Sequence, residues 1–153
     1  MHANDKFKEV MSLIPTSVAI AWIRNDQSEI FGCTISSFIS VSVEKENEAI
    51  AFVLRNDSRT GYAISNSENF TISILSKDQV EIANIFSRGL PIAEMNSAIR
   101  TYPTWNDCST CEFSLKLQRQ ILLSNSTIFI ADVVSFLSRP RLEPLVYSAR
   151  KYL

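Results

Sequence analysis

Val18-Ala19-Ile20-Ala21-Trp22-Ile23 is a continuous apolar run of six residues, followed by the turn-forming stretch Arg24-Asn25-Asp26-Gln27-Ser28 and a second run at Glu29-Ile30-Phe31-Gly32. Runs of this length are too short for stable helices, and turn residues between them predict a β-hairpin. The pattern recurs along the chain. Ala49-Ile50-Ala51-Phe52-Val53-Leu54 reads as a third strand, and Phe70-Thr71-Ile72-Ser73-Ile74-Leu75 alternates apolar with hydroxyl residues, which predicts a half-exposed strand. Phe113, Leu115 and Leu117 alternate with Ser114, Lys116 and Gln118, residues 128–134 are apolar on nearly both faces, and Ser124-Asn125-Ser126 turns between the two. Helical spacing appears three times. Phe7, Val10, Met11 and Ile14 form an apolar stripe stopped by Pro15; a short helix spans 58–65; and Val80, Ile82, Ala83 and Phe86 define a third, with Asp78 placed to cap it. Residues 87–111 carry only isolated Met95, Ile99, Tyr102 and Trp105, and read as a long connection.

Strands joined by short turns, with three scattered helices, predict a mainly β fold with α elements: a closed or split β-barrel rather than a doubly wound sheet. Three glycines in the whole chain cannot build a Gly-rich dinucleotide fingerprint. With 153 residues and no repeat or linker, residues 1–153 read as a single domain. The net charge of −1, with both signs dispersed, argues against nucleic acid and anionic membrane as partners. The first residues lack a signal-like apolar stretch and no run approaches the roughly 20 residues that span a bilayer, so a soluble cytoplasmic protein is expected. Asn56, Asn69 and Asn125 each open an Asn-X-Ser/Thr match that has no meaning without secretion. Cys108-Ser109-Thr110-Cys111 has the spacing of half a zinc site or a redox pair. Cys33 and His2 are the remaining thiol and imidazole, and no four-ligand metal site is expected from them.

Two hydroxyl clusters stand out chemically. Thr34, Ser36 and Ser37 place three hydroxyls in four residues just past a strand, and Ser58 and Thr60 open a helix whose first N–H groups lack acceptors. One reading is a site for a planar, phosphorylated, hydrogen-bonding ligand. The other is an ordinary turn followed by an N-cap.

Pro15-Thr16-Ser17-Val18-Ala19-Ile20, Gly32-Cys33-Thr34-Ile35-Ser36-Ser37-Phe38-Ile39-Ser40-Val41-Ser42, Ser58-Arg59-Thr60, Phe70, residues 79–86 and Pro144-Leu145-Val146-Tyr147 occur in the order and spacing of one family. The chain resembles the flavin reductases, and most closely the short-chain NAD(P)H:flavin oxidoreductases that supply reduced flavin to two-component monooxygenases. The resemblance implies an FMN-binding split β-barrel of Greek-key type, a homodimer, FMN or FAD as the flavin and NAD(P)H as reductant. It further implies that Thr34, Ile35, Ser36 and Ser37 lie along the flavin ring and ribityl chain, that Ser58 and Thr60 hold the phosphate, and that Arg59, with Arg88, neutralises its charge. Phe86 matches an aromatic beside the flavin, and core packing of its helix explains it equally well. No protein nucleophile is implied, because the cofactor carries the chemistry.

The chain departs from the family at one turn. Members active with NAD(P)H commonly carry Gly-Asp-His where Ser124-Asn125-Ser126 stands here, so an imidazole, a carboxylate and a glycine are exchanged together. Ser126 and Tyr147 are the residues of this chain matched to the nicotinamide side. The substitution motivates an alternative, a flavin-binding carrier, sensor or redox-assembly component without NAD(P)H reductase activity. Trp22, Phe31 and the connection from Met95 to Trp105 are the expected dimer-interface material.

Overall fold

The computed structural model describes residues 3–153, so His2 lies outside the described residues. Its elements, in chain order, are α1 (Ala3–Ser12), β1 (Thr16–Ser17), β2 (Ala19–Arg24), β3 (Ile30–Ile35), β4 (Ile39–Ser42), β5 (Ala49–Arg55), α2 (Arg59–Ser65), β6 (Asn69–Ile74), α3 (Val80–Ser87), α4 (Ile92–Ile99), β7 (Cys111–Leu122), β8 (Ser126–Ser138), β9 (Val146–Ser148) and β10 (Lys151–Tyr152). Seven strands form one antiparallel sheet in the order β3-β2-β6-β7-β8-β5-β4, and β1, β9 and β10 form a small second sheet. The hairpin of β2 and β3 is set by Asn25, whose side-chain carbonyl accepts from the N–H groups of Gln27 and Glu29 at 3.0 and 2.8 Å.

The two edges of the large sheet are consecutive in sequence. Four Cα–Cα steps link Ile35 at the end of β3 to Ile39 at the start of β4, a span of at most about 14 Å. The sheet must therefore curl until its opposite edges nearly meet. It stays open, because no ladder joins β3 to β4. The seam is stitched instead by Ser37, whose hydroxyl accepts from the Val53 N–H at 2.9 Å and donates to the Val53 carbonyl at 3.2 Å. The mainly β architecture with helices agrees with the sequence expectation.

Curling separates two apolar cores. Inside lie Phe52, Phe70, Phe129, Ile72 and Leu115, with Ile64 of α2 closing one end, and Phe52 stacks on Phe129 at 5.1 Å. Outside, Val18, Ile20 and Ile30 pack beneath Ile82, Phe86 and Met95 of α3 and α4. β2 is thus covered on both faces, which is why its sequence is continuously apolar rather than alternating.

Four sequence expectations need correction. β6 is a central strand between β2 and β7, not a half-exposed one: Ser73 is fully buried, its hydroxyl accepting from Trp22 Nε1 at 3.0 Å and donating to Glu112 at 3.2 Å. The third helix is entered through a 3-10 turn at Lys77–Gln79 capped by Ser76 and Gln79, and Asp78 does not cap it. Residues 87–111 contain α4 and a 3-10 turn at Trp105–Cys108, making four α-helices among the described residues. Met95 and Trp105 are interior, so they are not interface material.

α4 escaped the periodicity because its inward face carries a polar residue. Asn96, 5 % exposed, accepts from the Ile30 N–H at 2.8 Å and donates to the carbonyls of Ile30 and Ile92 at 2.9 and 2.8 Å. It lends α4 to the edge strand β3 as a surrogate neighbour. Replacing Asn96 by Ala would orphan both backbone groups of Ile30 in the interior. The expected loss is about 2–3 kcal/mol of unfolding free energy in a urea titration; a loss within error of zero would show that α4 is held by its apolar contacts alone.

Candidate functional site

The seam opens into a cleft of about 760 Å³. Four separate parts of the chain build its walls: residues 32–37 at the end of β3, residues 53–55 of β5, residues 57–60 at the start of α2, and the segment from Phe86 to Met95 that joins α3 to α4. All eight residues assigned to the cofactor from the sequence (Thr34, Ile35, Ser36, Ser37, Ser58, Arg59, Thr60 and Phe86) line this one cleft. They are brought together because the β3 edge curls round to face β5 and α2.

Their side chains are not equally free. Thr34 donates to the Ala83 carbonyl at 2.7 Å and so ties β3 to α3. Ser37 is committed to Val53 across the seam, whereas Ser36 is exposed in the cleft. Ser58 caps α2 by accepting from the Gly61 N–H at 3.1 Å, which leaves its own O–H to donate elsewhere. The capping role and a ligand role are therefore compatible. Thr60 is buried at the cleft wall. Arg59 donates to the carbonyl of Leu90, on the opposite bank. Arg88 does not line the cleft and pairs with Glu81 at 3.2 Å.

Three lining residues beside the hydroxyl clusters were given no site role from the sequence. Cys33 sits between the two hydroxyl clusters; burial pushes its thiol up from its ordinary pKa, against the opposing pull of hydrogen bonds to Thr60 and Ser58. Arg55 and Asp57 form a bidentate pair at the mouth, Nε to Oδ1 at 2.9 Å and Nη2 to Oδ2 at 2.7 Å. Hydrogen bonds from Arg55 hold the Asp57 carboxyl below the usual carboxylate range. A charged pair flanking Asn56, directly ahead of Ser58-Arg59-Thr60 at the helix start, was the available signal. Asp57 is the one carboxylate lining the cleft among the described residues, against two lining arginines, Arg55 and Arg59, so the electrostatic balance at that end favours an anion.

The turn matched to the nicotinamide side lies next door. A second cleft of about 590 Å³ is lined by Ser124, Asn125 and Ser126 together with Arg55, Asn56 and Asp57, so the two clefts share the ion pair as a common wall. Asn56 brackets the turn, donating to the carbonyls of Leu123 and Ser124 at 3.0 and 3.2 Å and accepting from the Thr127 hydroxyl at 2.9 Å. Tyr147 lies outside both clefts, in β9, with its ring edge-on to Tyr152 at 5.3 Å.

Phe86 is both core and wall. It is buried, packs on Trp105 at 5.2 Å, and shows its ring to the cleft only because residue 32 has no side chain. A Cβ at Gly32 would stand 2.6 Å from Phe86 Cε1 and 3.2 Å from Trp22 Cβ. The glycine is needed for that close approach.

The family described as Flavin reductase like domain matches residues 11–153. The NADH-dependent flavin reductase StyB of Pseudomonas fluorescens is 22% identical over 152 residues, covering 95% of this chain and 86% of StyB. Among solved structures, the NADH:FAD oxidoreductase SgcE6 of Streptomyces globisporus C-1027, in complex with NAD and FAD fragments, superposes with a TM-score of 0.84 at 17% identity, over 99% of this chain and 92% of that one. BorF, the flavin reductase component of a bacterial two-component tryptophan halogenase, gives 0.85 at 19% identity over 98% and 96%. The styrene monooxygenase flavin reductase SMOB of Pseudomonas putida S12 gives 0.78 at 20% identity over 96% and 95%.

Gly32→Ala is expected to cost about 1–3 kcal/mol of stability through overpacking against the Phe86 ring. In a Phe86→Leu background the same substitution should cost less than half as much, read by urea titration of all four chains. Equal costs in both backgrounds would show that the ring is not what residue 32 accommodates.

Proposed function

We propose that this chain, which belongs to the flavin reductase-like family, is an NAD(P)H:flavin oxidoreductase that passes a hydride to FMN or FAD and hands the reduced flavin to a separate monooxygenase. The observation that carries this is the convergence of Thr34, Ile35, Ser36, Ser37, Ser58, Arg59, Thr60 and Phe86, from distant parts of the sequence, on one cleft. The cleft also fits the ligand by its own chemistry. Its volume falls within the range of small-molecule sites. Phe86, Ile35, Ile92 and Met95 offer apolar surface to a planar ring, and the missing Cβ at Gly32 makes room for the Phe86 ring at the cleft wall. Hydroxyls at Ser36, Ser58 and Thr60 offer neutral hydrogen bonds, and Arg59 supplies a cation at the anionic end.

When bound, the flavin supplies the hydride-accepting chemistry itself. The chain's residues bind and orient. Ser58 donates towards the phosphate while its lone pair caps α2, and Arg59, braced on Leu90, keeps its position as the ligand enters. Ser126 stands at the neighbouring cleft, where the nicotinamide enters in this reading, and Tyr147 serves that side only if a second subunit or a shift of β9 brings it there. The exchanged turn at 124–126 does not by itself favour a mere flavin carrier. Asn56 fixes it against the mouth of the cleft with three side-chain hydrogen bonds, so a polar wall is kept where the family's imidazole stands. The names of SMOB and BorF, components of a styrene monooxygenase and a tryptophan halogenase, support delivery of reduced flavin to a partner. A cytoplasmic location, with access to nicotinamide nucleotides, goes with this role. No helix among the described residues is long and apolar enough to cross a membrane.

A homodimer belongs to the same proposal. On the edge strand β4, Ile39 and Val41 are exposed, and Val43 just beyond it is 81% exposed; an apolar groove lined by Phe38, Phe113 and Phe136 runs beside it. A second copy is the occupant this surface suits. Sedimentation equilibrium at micromolar concentration should return a dimer, and Val43→Glu should shift it towards monomer; a wild-type monomer would overturn the assignment.

The activity itself is tested by anaerobic rapid mixing of flavin-loaded protein with NADH and, separately, NADPH. Loss of the oxidised flavin's visible absorbance with at least one nucleotide is the expected result. Flavin that binds yet is bleached by neither would overturn the reductase assignment and leave a carrier.

A further inference from the structure

We propose that Asp57 is a specificity-determining residue of the cleft: by occupying Arg55 it weakens the hold on phosphorylated flavin and keeps that flavin exchangeable. The proposal rests on the flavin reading above. Among the described residues, three charged groups line the cleft, Arg55, Asp57 and Arg59. Arg59 donates to backbone carbonyls of the opposite bank, which are neutral, so its charge remains for a ligand. Arg55 is in a different state. Its Nε and one Nη2 proton are taken by the two carboxylate oxygens of Asp57 in a side-on fork, one of the two edges by which a guanidinium can hold a phosphate.

A phosphate that takes this fork must displace a carboxylate of matching geometry, and one that approaches the Nη1 side lies beside that carboxylate, like charge against like. The backbone that carries the pair is held in place. Asn56 is anchored to the 124–126 turn on one side, and on the other the Ser58 N–H bonds the Arg55 carbonyl at 3.0 Å. Asp57 thus stands at the wall shared by both clefts, where it discounts the phosphate end without touching the ring end. An oxidoreductase whose product must leave for another enzyme gains from such a discount, since product release commonly limits turnover.

Riboflavin, which carries the same ring without phosphate, separates the two ends. Dissociation constants for riboflavin and FMN are measured by flavin fluorescence on the wild type, Asp57→Asn, Arg55→Gln and the double variant, at low and high salt. Asp57→Asn should tighten FMN by about three- to tenfold, with riboflavin moving less than twofold, and added salt should erase most of the gain. The gain should vanish in the double variant, because it requires the released Arg55. Equal changes for both ligands, no change in FMN, or a gain that survives removal of Arg55 would each overturn the assignment. A wild type that binds neither ligand would overturn the flavin reading itself, and that outcome is distinct from the others.

Discussion

Everything that matters in this molecule depends on a topological economy at the β3–β4 connection. One edge of a seven-stranded sheet becomes the other edge within the three residues Ser36, Ser37 and Phe38. Backbone geometry alone then forces the sheet to curl, since three linking residues cannot cross a flat sheet of that width. The curl leaves a seam that no ladder closes, and the Ser37 hydroxyl bridges it by bonding both the N–H and the carbonyl of Val53. Residues that a flat sheet would place far apart are thereby turned towards one another, and the cleft is the gap that remains.

The same geometry explains why so many cleft residues hold two jobs. Thr34 fastens α3, Ser58 caps α2, Arg59 braces the α3–α4 segment and Phe86 belongs to the outer core, yet each faces the cleft. A site whose walls are also structural joints is pre-organised, because its side chains are held by hydrogen bonds and packing before any ligand arrives. Ser36 is the contrasting case, exposed in the cleft at the middle of the connection. The charged pair of Arg55 and Asp57 marks the boundary between the cleft and its neighbour, and Asn56 between them holds the 124–126 turn in place.

Six strands, β2, β3, β5, β6, β7 and β8, and the first three helices were legible because their apolar periodicity is local, whereas β4 and the two- and three-residue strands β1, β9 and β10 were not. β2 reads as a continuous apolar run because both its faces are covered, β7 alternates because one face is wetter, and β8, apolar on nearly both faces in sequence, alternates half-buried with buried residues over 126–131 and is exposed over 134–138. Misreadings came where a polar side chain points inward and finds its partner far away in sequence. Ser73, linked to Trp22 and Glu112, made a buried strand look half exposed; Asn96, linked to Ile30, hid α4. A hydroxyl or amide satisfied by a distant partner looks, in sequence, like one satisfied by water.

By itself the sequence determined the strand-rich class, the hairpins, the order of six strands and three helices, and, through the family resemblance, which hydroxyl, arginine and aromatic residues to expect at the candidate site, because all of these are written in local pattern and collinear motif. Tertiary structure decided what those residues face and which are free. Only the curled sheet sets residues 32–37 opposite residues 57–60, only the contact with Phe86 makes Gly32 necessary, and only the fold shows Arg55 already engaged by Asp57 at the mouth of the cleft. The physical reason is the same each time: hydrogen bonds, close packing and Coulomb forces act over a few ångströms of space, and the chain reports distances along itself.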